Sequence, residues 1–217
     1  MIFTETGHKI DITINDVYVA GWTGRNRESV ENHIQELAEL GISPPSKIPL
    51  YYRISNEWLT RKSRIQVLGN ETSGEIEPLL IRQDGKTWLG LASDHTDRQL
   101  EAYSVAASKQ ACPKPISSEL WSFDSVKDHM DALILKCRIL ESGQWIDYQS
   151  GEMARILPIT DLICESEIGN HSAMLCGTLT AIGGVRPAME YSMELIDPVL
   201  DRTISLEYSV NTLPLIE

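Results

Sequence analysis

The sequence predicts an α+β chain dominated by β-strands. Short β-rich runs separated by Gly, Asn and Asp turn signals recur from residue 47 to near the carboxyl end, and only one stretch keeps sustained helical spacing. No linker, low-complexity tract or repeat of fixed period divides the 217 residues, which read as a single domain, 1–217.

Residues 9–20, KIDITINDVYVA, alternate Ile10, Ile12 and Ile14 with polar residues and continue through Val17 and Val19, with Asn15-Asp16 as a turn signal. They predict an amino-terminal strand or hairpin. In RESVENHIQELAEL, Val30, Ile34, Leu37 and Leu40 recur at helical spacing, and Gly41 followed by Pro44-Pro45 ends the run. A helix over about 27–40 is predicted, so that 1–45 form a strand-and-helix segment.

From 47 to 91 the runs IPLYYRI, RIQVLG, GEIEPLLI and TWLGLAS predict paired strands with tight turns. Pro78 lacks a backbone N–H, which predicts an edge strand or a bulge there. After Asp94, DRQLEAYSVAASK carries Leu100, Tyr103, Val105 and Ala106 without a breaker until Pro113, the pattern of a helix or of a partly irregular segment. The remainder, through LILKCRIL, AMLCGTLTAIGG, EYSMELIDPVL and RTISLEYSV, reads as further strands joined by Ser-Gly, Gly-Gly and Asp-Pro turns.

Composition narrows the function classes. At 42% hydrophobic residues the chain can bury a core, and no apolar run of about 18 residues appears. The start, MIFTETGHKIDI, lacks the zones of a signal peptide, so a soluble cytoplasmic protein without a membrane partner is expected. Cys112, Cys137, Cys164 and Cys176 form no C-x-x-C pair and predict buried free thiols. A net charge of -12, with Arg61, Lys62 and Arg64 the one dense basic stretch, excludes a nucleic-acid footprint. An anionic metabolite would also be repelled at long range, so its site would need a local cation.

The chemistry concentrates near GEIEPLL. Strand geometry points Glu75 and Glu77 to one face, where two carboxylates suit a hard cation such as Mg²⁺. On local sequence alone, a solvated strand face accounts for the pair better than a metal site does. The charged stretch SDHTDRQLE follows an apolar strand, a place where sites are commonly assembled.

Five segments in order resemble the fumarylacetoacetate hydrolase family. GRNRESVENHIQE resembles its G-R-N-Y segment with His-x-x-Glu, GEIEPLLI its E-x-E strand, and SDHTDRQLE its N-D-x-T-x-R-D-x-Q segment. SKQACPKPI resembles its lysine-bearing K-x-F-D-x-x-x-P-x-G-P segment and MLCGTLTAIGGVRP its G-T-P-x-G-V-G loop. The resemblance implies a rolled mixed β-fold with few helices, a lid-like amino-terminal helix and a homodimer.

It also implies roles. Glu75, Glu77 and Asp94 become ligands of Mg²⁺ or Mn²⁺, with Ca²⁺ a crystallographic substitute. His33 and Glu36, at i and i+3 on the predicted helix, become a water-activating dyad, although an exposed helical pair explains them as well. Lys109 matches the lysine that faces substrate, against the alternative of a surface lysine at a helix end. Thr178 with Gly177 matches the carboxylate-holding loop, and Arg98 an arginine grouped with the substrate-facing residues and expected to support Asp94.

The departures are specific: Gly74 stands where the family often has His, Leu179 replaces the proline of its loop, Gln99 its aspartate, and Gln110-Ala111 its Phe-Asp. The stretch from Glu77 to Asp94 is shorter than the family's. The implied function is metal-dependent hydrolysis of a C–C bond in an acylpyruvate-like or other 2-oxo or 1,3-dioxo acid. Decarboxylation, hydration or isomerisation of a related acid is the alternative, and a non-catalytic β-rich binding protein is the alternative of another class. Tyr51, Arg53, Tyr103 and Trp121 are candidate readers of the substrate's distal end, and nothing in their spacing selects among them.

Overall fold

The computed structural model describes residues 1–39 and 44–216, without the side chains of His33, Glu36, Leu37 and Glu39. Two sheets hold most of the strands. The amino-terminal hairpin, Ile2–Glu5 with His8–Asp11, stands apart from them, and the remainder of the predicted 9–20 strand becomes β1 (Asp16–Gly21).

Helix α1 (Arg27–Glu39) follows, its first turn held by Asn26, whose Oδ1 accepts from the Ser29 N–H at 3.0 Å. Its predicted end at Leu40 lies outside the described residues. The chain continues through β2 (Leu50–Ile54), β3 (Arg64–Leu68), β4 (Ile76–Gln83) and β5 (Lys86–Ser93). The segment after Asp94 is two short helices, α2 (Arg98–Glu101) and α3 (Val105–Gln110). They separate because Asp97 caps the first through the Leu100 N–H and Ser104 caps the second through the Ala107 N–H.

Strands β6 (Trp121–Ser122), β7 (Ile134–Glu141) and β8 (Gln144–Glu152) come next, and then α4 (Ile159–Ser166). The sequence reading has no helix at α4, since eight residues are too few to establish a period. Strands β9 (Ser172–Leu175), β10 (Glu190–Asp197) and β11 (Arg202–Leu213) complete the chain. Among the described residues no helix is long and apolar enough to cross a membrane.

The six-stranded sheet has the order β6-β5-β4-β9-β1-β2 and the five-stranded sheet β8-β7-β10-β11-β3. Both are mixed: β9 runs parallel to β1 and β3 parallel to β11, while the other neighbours are antiparallel. This is the β-dominated class the sequence predicts.

The six-stranded sheet is buried on both faces. Ile76, Leu80, Leu89 and Leu91 join Leu135, Ile139, Met193 and Leu206 in the core between the sheets. Leu79, Ile81 and Ala92 join Phe3, Val17, Val19 and Ile116 in a second core on the other face. Strand β4 therefore reads as a near-continuous apolar run, as a doubly covered strand must. Each fully buried Leu or Ile contributes about 1.5–3 kcal/mol of transfer free energy.

Pro78 corrects an expectation, because it lies in the central strand β4 and at no edge. The β4–β9 ladder ends at the pair Leu79–Leu175, and one residue further the Pro78 carbonyl accepts from the Cys176 N–H at 3.0 Å. Its missing N–H thus falls where the ladder has already ended. All four cysteines are free, and Cys164, on α4, is exposed where a buried thiol is expected.

Candidate active site

Glu75 immediately precedes β4, Glu77 lies within it, and Asp94 immediately follows β5. The antiparallel register pairs Ile76 with Ser93 and Glu77 with Ala92, and it extends to a hydrogen bond from the Asp94 N–H to the Glu75 carbonyl at 2.9 Å. Directly opposed residues and residues two apart share a face. Glu75, Glu77 and Asp94 therefore all project on the face that carries Leu79, Ile81 and Ala92.

Each carboxylate has a different electrostatic setting. Asp94 is fully buried; its Oδ2 accepts from Lys109 Nζ, and Lys114 Nζ lies 3.2 Å from Oδ1. Burial pushes its pKa upward, and Lys109 with Lys114 outweighs that and holds it below the ordinary carboxylate range. Glu75 is paired with Arg98, whose Nη2 stands 2.9 Å from Oε2. Glu77, 2% exposed, accepts the Gly177 N–H at 2.7 Å, and no cation of the described residues is paired with it. Burial, and then the charge of Asp94, raise it well above the ordinary value, against the opposing pull of Lys109.

The cations respond in turn. Burial lowers Lys109, but Asp94 and Glu77 outweigh it and raise the lysine above its ordinary value. For Lys114 burial wins, and its pKa is lowered. Its Nζ also donates to the His95 carbonyl. Arg98 donates to Ser73 Oγ at 2.6 Å and to Glu101 at 2.9 Å and pairs with Glu75, so the lysines hold Asp94 directly while Arg98 acts on it through its charge alone.

The loop after β9 closes over Glu77. Gly177 has φ +96°, and a Cβ there would lie 1.6 Å from Thr23 Oγ1, so only glycine fits. The single hydroxyl proton of Thr178 goes to the Ile76 carbonyl at 2.7 Å. Buried Gln149 links these parts: its Oε1 accepts from the Ile76 N–H at 2.9 Å, and its Nε2 donates to Thr178 Oγ1 at 2.8 Å and to the Leu179 carbonyl at 2.6 Å. The Gly177 N–H and the Thr178 hydroxyl, both assigned to a ligand carboxylate by the resemblance, are committed within the protein here.

Behind the carboxylates lies a second polar layer. His95 is fully buried, with Nδ1 3.0 Å from the Tyr208 hydroxyl and Nε2 2.9 Å from Thr72 Oγ1. Burial, followed by Lys114 and Arg98, pulls its pKa down to about 3. Tyr208 also meets Ser93 Oγ at 2.8 Å and stacks on Tyr191 with centroids 4.9 Å apart. A Cβ at Gly74 would sit 2.0 Å from the Tyr208 hydroxyl, so this layer fills the space of any larger side chain at that position.

His33 and Glu36 lie on α1, but their side chains fall outside the described residues. Of the proposed distal readers, Tyr103 is 86% exposed, Trp121 is buried with the Arg202 guanidinium 4.3 Å above its ring, Arg53 pairs with Asp16, and Tyr51 packs against the core between the sheets. The neighbouring Tyr52 is the ring that meets Lys109, its centroid 5.7 Å from Nζ. Lys114, Gln149, His95 and Tyr208 are absent from the sequence-predicted set. The one local signal for Lys114 is its place between Pro113 and Pro115, close after Lys109.

Among the described residues no three His, Cys, Asp or Glu side chains stand grouped as a ready metal cage. Glu75 and Asp94 are instead charge-paired with the protein's own cations. The donor chemistry of the trio nonetheless fits a hard divalent ion: three carboxylates share one face, and Glu77 is buried with no paired cation among the described residues.

A family model described as "Protein of unknown function (DUF2848)" matches residues 20–208. No curated protein sequence matches the chain. Solved structures do. The 5-carboxymethyl-2-hydroxymuconate delta-isomerase from Mycobacterium smegmatis superposes with TM-score 0.65 at 13% identity, covering 96% of this chain and 84% of that one. A 2-keto-3-deoxy-D-arabinonate dehydratase complexed with magnesium and 2,5-dioxopentanoate gives 0.63 at 15%, covering 94% and 75%. The 4-oxalocrotonate decarboxylase from Pseudomonas putida G7, complexed with calcium and acetate, gives 0.58 at 11%, covering 93% and 78%. The chain thus shares the fold of these three solved structures, β-dominated as the sequence predicts.

Proposed function

We propose that this chain, which belongs to the DUF2848 family, is an enzyme acting on a small oxo-acid with the help of a divalent cation held by Glu75, Glu77 and Asp94. The observation that carries the reading is the register that sets the three carboxylates on one face, with Glu77 buried and, among the described residues, without a paired cation. The enzymes of similar fold whose names describe oxo-acid or related chemistry, two of them with a divalent ion, support it.

When bound, such a cation, Mg²⁺ or Mn²⁺, would supply Lewis-acid polarisation of a keto oxygen. The chain's own residues supply the rest. Lys109, which reaches Asp94 on one side and Tyr52 on the other, is the mobile positive charge for a substrate carboxylate or a leaving enolate. Arg98 orients Glu75 through their ion pair, and Gly177 orients Glu77 through its N–H. Thr178 and Gly177 form the rim, with Gln149 fixing the loop from beneath. In the hydrolytic version, α1 closes as a lid and His33, oriented by Glu36, takes a proton from the water that attacks the distal carbonyl. C–C hydrolysis of an acylpyruvate-like acid is the first reaction in this reading, carried by a homodimer, which light scattering tests.

The decisive experiment is turnover of an oxo-acid panel with Mg²⁺ or Mn²⁺ in wild type, Glu77→Ala and His33→Ala. Loss of turnover in both variants is the expected result. Turnover retained in His33→Ala but lost in Glu77→Ala moves the reaction to decarboxylation or isomerisation. Oxalate that stabilises the wild type, with no turnover of any acid, favours a binding protein on the same scaffold.

A further inference from the structure

The geometry points to Lys114 as a positioning residue, the standing counter-ion of Asp94, whose presence lets Lys109 leave that carboxylate for an anionic ligand; the second half rests on the oxo-acid reading above. Lys114 is fully buried, and its Nζ has two partners, the His95 carbonyl and Asp94 Oδ1. It cannot reach solvent, so any influence on a ligand passes through Asp94.

The backbone fixes this aim. Prolines flank Lys114 on both sides, Lys114–Pro115 pairs in parallel with Leu59–Thr60, and the Ile116 N–H donates to the Thr60 carbonyl at 2.8 Å. Burying an ammonium costs several times an ordinary contact unless it is paired, and Lys114 meets that cost through Asp94 and the His95 carbonyl. The charge therefore has work beyond packing.

Counting partners shows what that work is. Among the described residues, Arg98 is paired with Glu75, two ammonium groups are paired with Asp94, and none is paired with Glu77. The two lysines differ in access: Lys114 is sealed, whereas the Lys109 side chain is 9% exposed on the short helix α3 beside Tyr52. With Lys114 in place, Lys109 can swing away and Asp94 remains paired. Without it, the same movement leaves the fully buried carboxylate no ammonium partner and only the proposed divalent cation to offset its charge, so Lys109 is held more tightly.

A double-mutant cycle with Lys109→Met and Lys114→Met tests the counter-ion role on ligand-free protein by thermal unfolding. Each lysine backs up the other, so the double variant is expected to lose more in Tm than the sum of the single losses; an additive cycle overturns the proposal. Oxalate titration by calorimetry in the presence of Mn²⁺ tests the release role. Lys114→Met is expected to weaken oxalate about tenfold or more, and Lys109→Met to abolish its binding. A Lys114→Met protein that binds oxalate as tightly as wild type overturns the proposal, since a purely structural lysine would move Tm alone. If the Met variant does not fold, Lys114→Gln, which keeps a donor for the His95 carbonyl and removes only the charge, enters both arms. Wild type that binds no oxalate defeats the oxo-acid reading, and the ligand-free cycle then judges the counter-ion role alone.

Discussion

Glu75 and Asp94 face each other across the open end of the β4–β5 hairpin, tied by a hydrogen bond from the Asp94 N–H to the Glu75 carbonyl at 2.9 Å, yet their carboxylates turn to different cations. Arg98 holds one and the lysines hold the other. Glu77, on the same face, is left with a backbone N–H, and that imbalance governs how the site should respond to substitution.

Glu77→Gln replaces a buried carboxyl whose ionisation burial disfavours with a neutral amide that keeps an oxygen for the Gly177 N–H. Urea unfolding without added metal should show a variant as stable as wild type or more stable by about 1 kcal/mol. The same variant should lose the stabilisation that Mn²⁺ gives the wild type. A destabilised Gln variant would mean that Glu77 has a cationic partner in solution.

Gly74→Ala should destabilise by about 1–3 kcal/mol, because its Cβ would meet the Tyr208 hydroxyl at 2.0 Å in a packed layer. Tyr208→Phe in the same chain removes the colliding atom, and it should restore part of that loss. Equal stability of Gly74→Ala and its double variant would show that the layer relaxes elsewhere.

Gln149→Leu should cost about 2–4 kcal/mol, since it strands the buried Ile76 N–H and frees the Thr178–Leu179 loop from its tether. Chemical denaturation measures the loss. Oxalate binding in the presence of Mn²⁺ should weaken together with it.

Asp197 supplies a pH dependence remote from the carboxylates. It is buried and accepts from His129 Nε2 at 3.0 Å, from the Val199 and Leu200 N–H groups at 3.1 Å, and from Arg202 Nε at 3.1 Å. Burial raises its pKa, and the His129, Leu200 and Arg202 hydrogen bonds outweigh that, holding it below the ordinary value. A depressed carboxylate gives stability that is full above its unfolded pKa, about 3.9, and is lost as pH falls through the folded value. Wild type should therefore exceed Asp197→Asn by about 1–3 kcal/mol at pH 7, with the gap closing in acid. A gap that stays constant down to pH 3 would contradict the assignment.

The sequence by itself determined what local periodicity carries. Alternation in GEIEPLL put Glu75 and Glu77 on one face, TWLGLAS followed by Asp94 brought the third carboxylate to the hairpin's open end, and the order of five short segments announced the fold. Those are relations between residues close in the chain or repeated at a fixed spacing, and strand geometry fixes them without any knowledge of the rest. The tertiary structure alone decided which charge compensates which. It sealed Lys114 against Asp94, seated the Gly177 N–H on Glu77 beneath Thr23, packed Tyr208 into the space above Gly74, and let Pro78 sit in a central strand because β9 ends beside it. These depend on desolvation and on contacts between distant segments, and neither leaves a period in the sequence.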